Sequence, residues 1–244
     1  MIACIPTKNR PNTKTYQLFE SVGIKAFHFV EPQEFDKSPL PNKINIQQNN
    51  QGIAYVRNFI IEWAKSNGEQ WVIMCDDDVN QFGVYKNGVD NKAGAGIWFD
   101  IKQKAEKLPF EIFGINYRQH AWHEKKAYSI NKSFVEVCVL LNVDKINWSY
   151  RKEFNLKEDR DFVLQTISKG NGIVKFHKHY YNCPAVGTNS GGLQTEYQAK
   201  RDEDSAYKMY YEYAQHAKIQ NKDGRVDVKI DVAAYAIQNK RIVK

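Results

Sequence analysis

Two rhythms of apolar residues alternate along this chain. Residues 1–6, 24–30, 71–79, 111–117, 133–141 and 173–181 are short apolar runs with many β-branched or aromatic side chains. Runs of this kind predict strands, and the least polar of them predict strands covered on both faces. Between them apolar residues recur at helical spacing. Tyr16, Leu18, Phe19 and Val22 form one such stretch, closed by Gly23, and Ile53, Val56, Ile60 and Ala64 form another before Gly68. A short basic stretch at 101–108 carries Lys102, Lys104 and Lys107, and a later one carries Val163, Leu164 and Ile167 before Gly170. Strand, helix, strand, helix, strand over the first 80 residues predicts an α/β fold with a mostly parallel central sheet and right-handed crossovers. Pro11 stops the first strand. Residues 31–42, with three prolines, read as a loop, and the glycine-rich residues 87–96 as a mobile loop. Thr188-Asn189-Ser190-Gly191-Gly192 reads as a turn and residues 197–219 as a long tyrosine-rich helix. Residues 226–242 form a tail whose element the pattern does not type. No repeat or linker divides the chain, so a single domain over 1–244 is expected, with a C-terminal extension from about 197.

The run Trp71-Val72-Ile73-Met74-Cys75 stops at Asp76-Asp77-Asp78. In open α/β sheets ligands bind beyond the carboxyl ends of the strands. Three acids there repel one another unless a cation or strong donors neutralise them, and an all-carboxylate cluster suits Mg²⁺ or Mn²⁺ bridging to substrate phosphates. The plain alternative is a solvated acidic loop.

The 244 residues are 42% hydrophobic, enough for a proper core. No apolar run approaches a membrane span and no leader pattern opens the chain, so no membrane partner and a cytoplasmic location are expected. Cys4, Cys75 and Cys138 sit inside apolar runs, and with Cys183 they show no metal-ligand spacing; they read as reduced thiols. The net charge of +7 favours polyanionic partners.

Four stretches, in order, resemble the GT-A glycosyltransferases, which move a sugar from a nucleotide-sugar donor. They are Ile5-Pro6-Thr7-Lys8-Asn9-Arg10-Pro11, then Gly52-Ile53-Ala54 with Arg57-Asn58, then the Asp76-Asp77-Asp78 triplet, then Glu158-Asp159-Arg160-Asp161-Phe162 opening a helix. The size, the basic charge and Asn189-Ser190-Gly191-Gly192 make the chain most similar to the TET-associated, phage-type DNA glycosyltransferases within that Rossmann-like fold. The resemblance implies an inverting transfer from a UDP-sugar to the hydroxyl of a hydroxymethylated pyrimidine in DNA, in a phage-infected bacterial cell. It implies that Pro6, Thr7, Asn9 and Arg10 hold the nucleotide, that Arg57 reaches a phosphate, and that Asp76 or Asp77 contacts the ribose or donor sugar. It implies a metal on Asp78 and Asp76 with a histidine as third ligand; His179 and His177 are the candidates, because alternation sets them on one strand face. It implies that Asp159 is the base, with Glu158 or Asp161 as alternatives, although acids in a first helical turn also serve as caps.

For the acceptor, Arg118, His120, Trp122, His123, Lys125 and Lys126 form a basic patch around an aromatic, suited to a DNA backbone and a stacked base. A target base in duplex DNA has to leave the stack to be modified. Three other readings compete. One is the same chemistry on a carbohydrate or lipid-linked acceptor. Another is a catalytically silent DNA-binding module, which would need neither acid cluster. The third is a nucleotidyltransferase, which would lack the Glu158-Asp159 arrangement.

Overall fold

The structure, a computed structural model, describes residues 1–123, 125–185, 191–222 and 224–244. Its first half follows the hydrophobic rhythm: β1 (Ile2–Pro6), α1 (Lys14–Glu20), β2 (Ala26–Val30), a single turn α2 (Pro32–Phe35), β3 (Lys43–Asn45), α3 (Ile53–Ser66) and β4 (Trp71–Cys75). Then come β5 (Gln81–Lys86), β6 (Val89–Asn91), α4 (Ile97–Ala105), β7 (Ile112–Tyr117), α5 (Arg118–Ala121), β8 (Tyr128–Ile130), β9 (Cys138–Asn142), α6 (Glu158–Ser168) and β10 (Ile173–Asn182). The chain closes with α7 (Gln194–Gln198), α8 (Arg201–Glu212), β11 (Ala217–Lys222), β12 (Arg225–Ile230) and α9 (Val232–Gln238).

Among the described residues one ten-stranded sheet forms, in the order β3-β2-β1-β4-β9-β7-β10-β5-β6, with β8 also on β10. The pairings set β3, β2, β1, β4, β7, β10 and β6 in one direction and β9, β5 and β8 in the other. The sheet is therefore mostly parallel in strand direction, and β9 is an antiparallel insertion between β4 and β7. Strand alternation supplies both covering layers. Ile2 and Cys4 of β1, with Val72 and Met74 of β4, pack beneath α3, α6 and α9. Ala3 and Ile5, with Ile73 and Cys75, pack against α1 and α4 on the other face. Each aliphatic side chain withdrawn from water there contributes about 1.5–3 kcal/mol.

Several elements differ from the sequence expectation. Residues 87–96 are not one loop: Asn87 and Gly88, at φ +52 and +78, make the two-residue turn of the β5–β6 hairpin. Helix α4 starts four residues before the expected 101 because Ile97 and Trp98 join Ile101 and Ala105 on its buried face. The strand expected from 133 starts at Cys138, because Val137 takes a left-handed conformation, φ +64, that ends pairing before it. The long helix expected over 197–219 breaks at Lys200, φ +57, and gives way to the β11–β12 hairpin; α9 then fills part of the untyped tail. Thr188, Asn189 and Ser190 of the expected turn lie outside the described residues.

Candidate active site

Parallel β1 and β4 end side by side, so the loop after Pro6 and the acids after Cys75 share one rim. Thr7 is fixed by its backbone N–H on the Phe29 carbonyl, 3.0 Å, and its hydroxyl on the Ile5 carbonyl, 3.2 Å. Arg10 reaches from that loop to the acids, its Nη1 2.5 Å from Asp77 and 3.4 Å from Asp78. From α3, Arg57 lies 3.3 Å from Asp76 and 3.4 Å from Glu158 at the start of α6. It joins the end of β4 to the start of the later helix. The salt-bridge role thus describes Arg57 in this structure, and its phosphate role is a proposal.

Burial pushes the Asp76 carboxyl up to about 6, with Asp78 and Asp159 adding to the rise and Arg57 opposing it. Burial pushes Asp77 higher, to about 8, against the pull of Arg10. Glu158, only 3% exposed, is raised to about 7 by burial. Asp159 is also raised, by burial first and then by Glu136. Four carboxyls are thus crowded together, Asp77 and Glu158 buried and Asp76 and Asp159 half-buried, with two arginines among them. Such a cluster lacks positive charge, and an all-oxygen donor set of this kind fits a hard divalent cation. Among the described residues no group of three or more His, Cys, Asp or Glu side chains is arranged to hold a metal. Two carboxylates completed by donor phosphates is the manner in which Mg²⁺ commonly binds. Asp78 and Asp76 fit that role.

The backbone at the site is distorted. The Asp76 N–H donates to the carbonyl of Val137, 2.9 Å. A β-branched residue in the left-handed region is an outlier that surrounding structure has to hold in place, and such positions gather at functional sites. Gly191, φ +83, closes the rim: a Cβ there would meet the Asn9 carbonyl at 2.8 Å, and the next N–H, of Gly192, donates to Lys8.

A cleft of about 1240 Å³ joins these parts. Pro6, Thr7, Arg10, Arg57, Asp76, Asp77, Asp78, Glu158 and Asp159 all line it, as do Arg118, His120 and Trp122. Asn9 is exposed and does not line the cleft; its N–H donates to Glu34 at 2.6 Å. His123, Lys125 and Lys126 are exposed and likewise lie outside the lining. Arg118 is held by Asp90 at 2.7 Å, and Trp122, 42% exposed, stands edge-on to Tyr85.

Of the residues expected to hold the metal or act as the base, His179, His177 and Asp161 are not brought to the cleft. His179 packs inward and its Nε2 lies 2.8 Å from Asp100 of α4. His177 is buried outside the cleft lining. The cause is a register shift: Phe176 pairs with Ile115 but Tyr180 pairs with the next residue, Asn116, so 177–179 bulge and simple alternation fails. Asp161 is the third. Its carboxylate is fully buried away from the cleft, bonded to the Arg151 guanidinium, the Tyr213 hydroxyl at 2.6 Å and Gln165 at 2.7 Å. It secures α6 to α8. Asp161→Ala is expected to cost about 3 kcal/mol in urea unfolding, because it leaves a part-buried arginine without its main partner. Turnover per folded molecule is expected to stay near normal.

Sequence reasoning missed Glu31 and Glu136. Glu31, 4% exposed, lines the cleft beside the loop after β1 and accepts from Lys8 at 2.9 Å and from the Asn50 N–H at 3.1 Å. Glu136 lies beside Asp159 and binds Arg160 at 2.7 Å. Its signal was a lone acid inside the apolar run Phe134-Val135-Glu136-Val137.

The class of the chain, a glycosyltransferase, comes from its family. The family described as TET-Associated Glycosyltransferase has a model that matches residues 2–192, and this chain belongs to that family. No curated protein sequence matches it. Looser likenesses of fold exist among solved structures. A197 from STIV gives a TM-score of 0.47 at 9% identity, covering 76% of this chain and 86% of that one. The CMP:2-keto-3-deoxy-manno-octonic acid synthetase complexed with CTP gives 0.47 at 9% identity, covering 81% and 95%. A protein assigned as a nucleotide-diphospho-sugar transferase from Desulfovibrio desulfuricans G20 gives 0.41 at 9% identity, covering 82% and 96%. Among the described residues no helix is long and apolar enough to cross a membrane.

Proposed function

We propose that this glycosyltransferase moves a sugar from a nucleotide-sugar donor, a UDP-sugar, to the hydroxyl of a hydroxymethylated pyrimidine in DNA, with Mn²⁺ or Mg²⁺ on Asp78 and Asp76. The observation that carries the reading is the meeting of two acid groups from distant parts of the chain, Asp76-Asp77-Asp78 and Glu158-Asp159, around Arg57 in one cleft. At about 1240 Å³ that cleft exceeds the usual ~300–1,000 Å³ of a small-molecule pocket, leaving room for donor and acceptor together.

Thr7, Arg10 and the buried Glu31 hold the nucleotide end. Arg57 keeps Asp76 and Glu158 apart and oriented. Asp159 takes the proton of the acceptor hydroxyl as that oxygen bonds to the anomeric carbon; the bond to phosphate breaks on the opposite face, and the nucleoside diphosphate leaves with the electron pair. When bound, the divalent cation supplies Lewis-acid stabilisation of the charge on that leaving group. The Arg118, His120 and Trp122 wall favours DNA over a carbohydrate or lipid-linked acceptor, because it sets a guanidinium and an imidazole beside an exposed ring. A base reaching Asp159 has to be unstacked first.

The test is release of nucleoside diphosphate from a panel of donors. Hydroxymethylated DNA is expected to stimulate release well above unmodified DNA of the same sequence. Equal release with both, at the rate seen without DNA, contradicts the acceptor assignment.

A further inference from the structure

The cleft has one wall from beyond the family-matched residues. Hairpin β11–β12 follows strict alternation. Ala217, Ile219, Val226, Val228 and Ile230 pack against Leu164 and Met209 in a third apolar cluster. On the other face the cross-strand pairs are polar: Gln220 stands opposite Asp227, and Lys222 opposite Arg225. Asp227 is an anchor. It takes an ion pair from Lys157 at 2.9 Å and another from Arg160 at 3.0 Å, fixing the hairpin to the helix start that carries Asp159.

The tip pair has no such account in folding. Lys222 and Arg225 both line the cleft, and like charges directly opposite on a hairpin are destabilising. Among the described residues Lys222 makes no ion pair, and the one acid on Arg225 is Asp202, at a long 3.9 Å. Arg225 also lies over the ring of Tyr197, 6.0 Å from its centroid, and Tyr197 lines the same cleft. Lys175, Arg118 and Trp122 line it as well. Two cations at the tip of a rigidly anchored hairpin, one with a single long ion pair and the other with none among the described residues, in a cleft that also holds Lys175, Arg118 and an exposed ring, suit a chain of phosphates better than an isolated anion.

We propose that the tip of the β11–β12 hairpin grips the phosphodiester backbone of the acceptor nucleic-acid strand, with Lys222 and Arg225 as its two phosphate contacts. This rests on the nucleic-acid reading above and adds a second binding wall, outside the matched residues 2–192, to the Arg118–Ala121 side.

The experiment is fluorescence anisotropy of the full chain with a labelled hydroxymethylated duplex across a salt series. In K222Q/R225Q the slope of log affinity against log salt is expected to fall by about two, near 0.9 for each lost contact. Its melting temperature is expected to be unchanged or slightly higher, since a like-charge pair is relieved. The matched control K107Q/K169Q removes two exposed lysines outside the cleft and is expected to keep the wild-type slope. Salt-sensitive binding by the wild type with an unaltered slope in K222Q/R225Q overturns the hairpin assignment and spares the DNA reading. So does an equal drop in both variants, which would make the effect one of net charge. Absence of salt-sensitive DNA binding by the wild type overturns the DNA reading and the hairpin proposal with it.

Discussion

Asp159→Asn is expected to lower turnover about 10²–10⁴-fold, the range for loss of a positioned general base. The substitution keeps the side chain's size, and asparagine serves nearly as well as aspartate near a helix start. It also keeps the carbonyl oxygen that accepts from the Arg160 N–H at 2.7 Å. The melting temperature and donor affinity are therefore expected to hold. What disappears is the ability to accept the acceptor's proton, in a carboxyl already raised by burial and by Glu136 and so better matched to work near neutral pH. Near-normal turnover would remove Asp159 from the mechanism. Glu158, raised to about 7 but tied to Arg57, would then be the carboxyl to test next.

The other large effect is expected at the metal. Asp78→Ala removes the carboxylate proposed to hold the cation and should lower turnover by about 10³-fold or more, since charge stabilisation by a bound cation is worth several kcal/mol, roughly tenfold per 1.4 kcal/mol. The fold should survive. Asp78 is a quarter exposed, and Arg10 keeps its shorter contact at 2.5 Å to Asp77 when the 3.4 Å contact to Asp78 is lost. In the wild type, chelator should stop turnover and excess Mn²⁺ should restore it. Full activity in excess chelator contradicts the metal assignment.

The frame of the site was legible in the sequence because its physics is local. A β-branched run that halts at three acids predicts a buried strand with a charged end, and β4 is that strand. The choice among Glu158, Asp159 and Asp161 was not legible. Residues two apart on a helix point about 200° apart, so Asp159 and Asp161 face opposite environments, and which one meets the cleft depends on how α6 docks. Arg151 and Tyr213, which claim Asp161, come from other elements. The histidines were misjudged for a related reason: alternation holds along a regular strand, and the bulge at 177–179 ends it. The hairpin β11–β12 did carry a sequence signal, Asp223-Gly224 between alternating apolar positions, but the tyrosine spacing upstream suggested a helix running to Ile219, into its first strand. Val137, whose strained backbone presents its carbonyl to Asp76, carries no sequence signal, since valine is among the residues least expected at positive φ.

The most direct measurement reads the product itself. Hydroxymethylated DNA is incubated with the protein, Mn²⁺ and a single nucleotide-sugar, then digested to nucleosides and analysed by mass. The account predicts that, with the right donor, the hydroxymethylated nucleoside gains the mass of one sugar residue, that unmodified nucleosides gain none, and that Asp159→Asn leaves the digest almost unchanged. Full conversion by Asp159→Asn, or no conversion by the wild type with any donor tried, would contradict it.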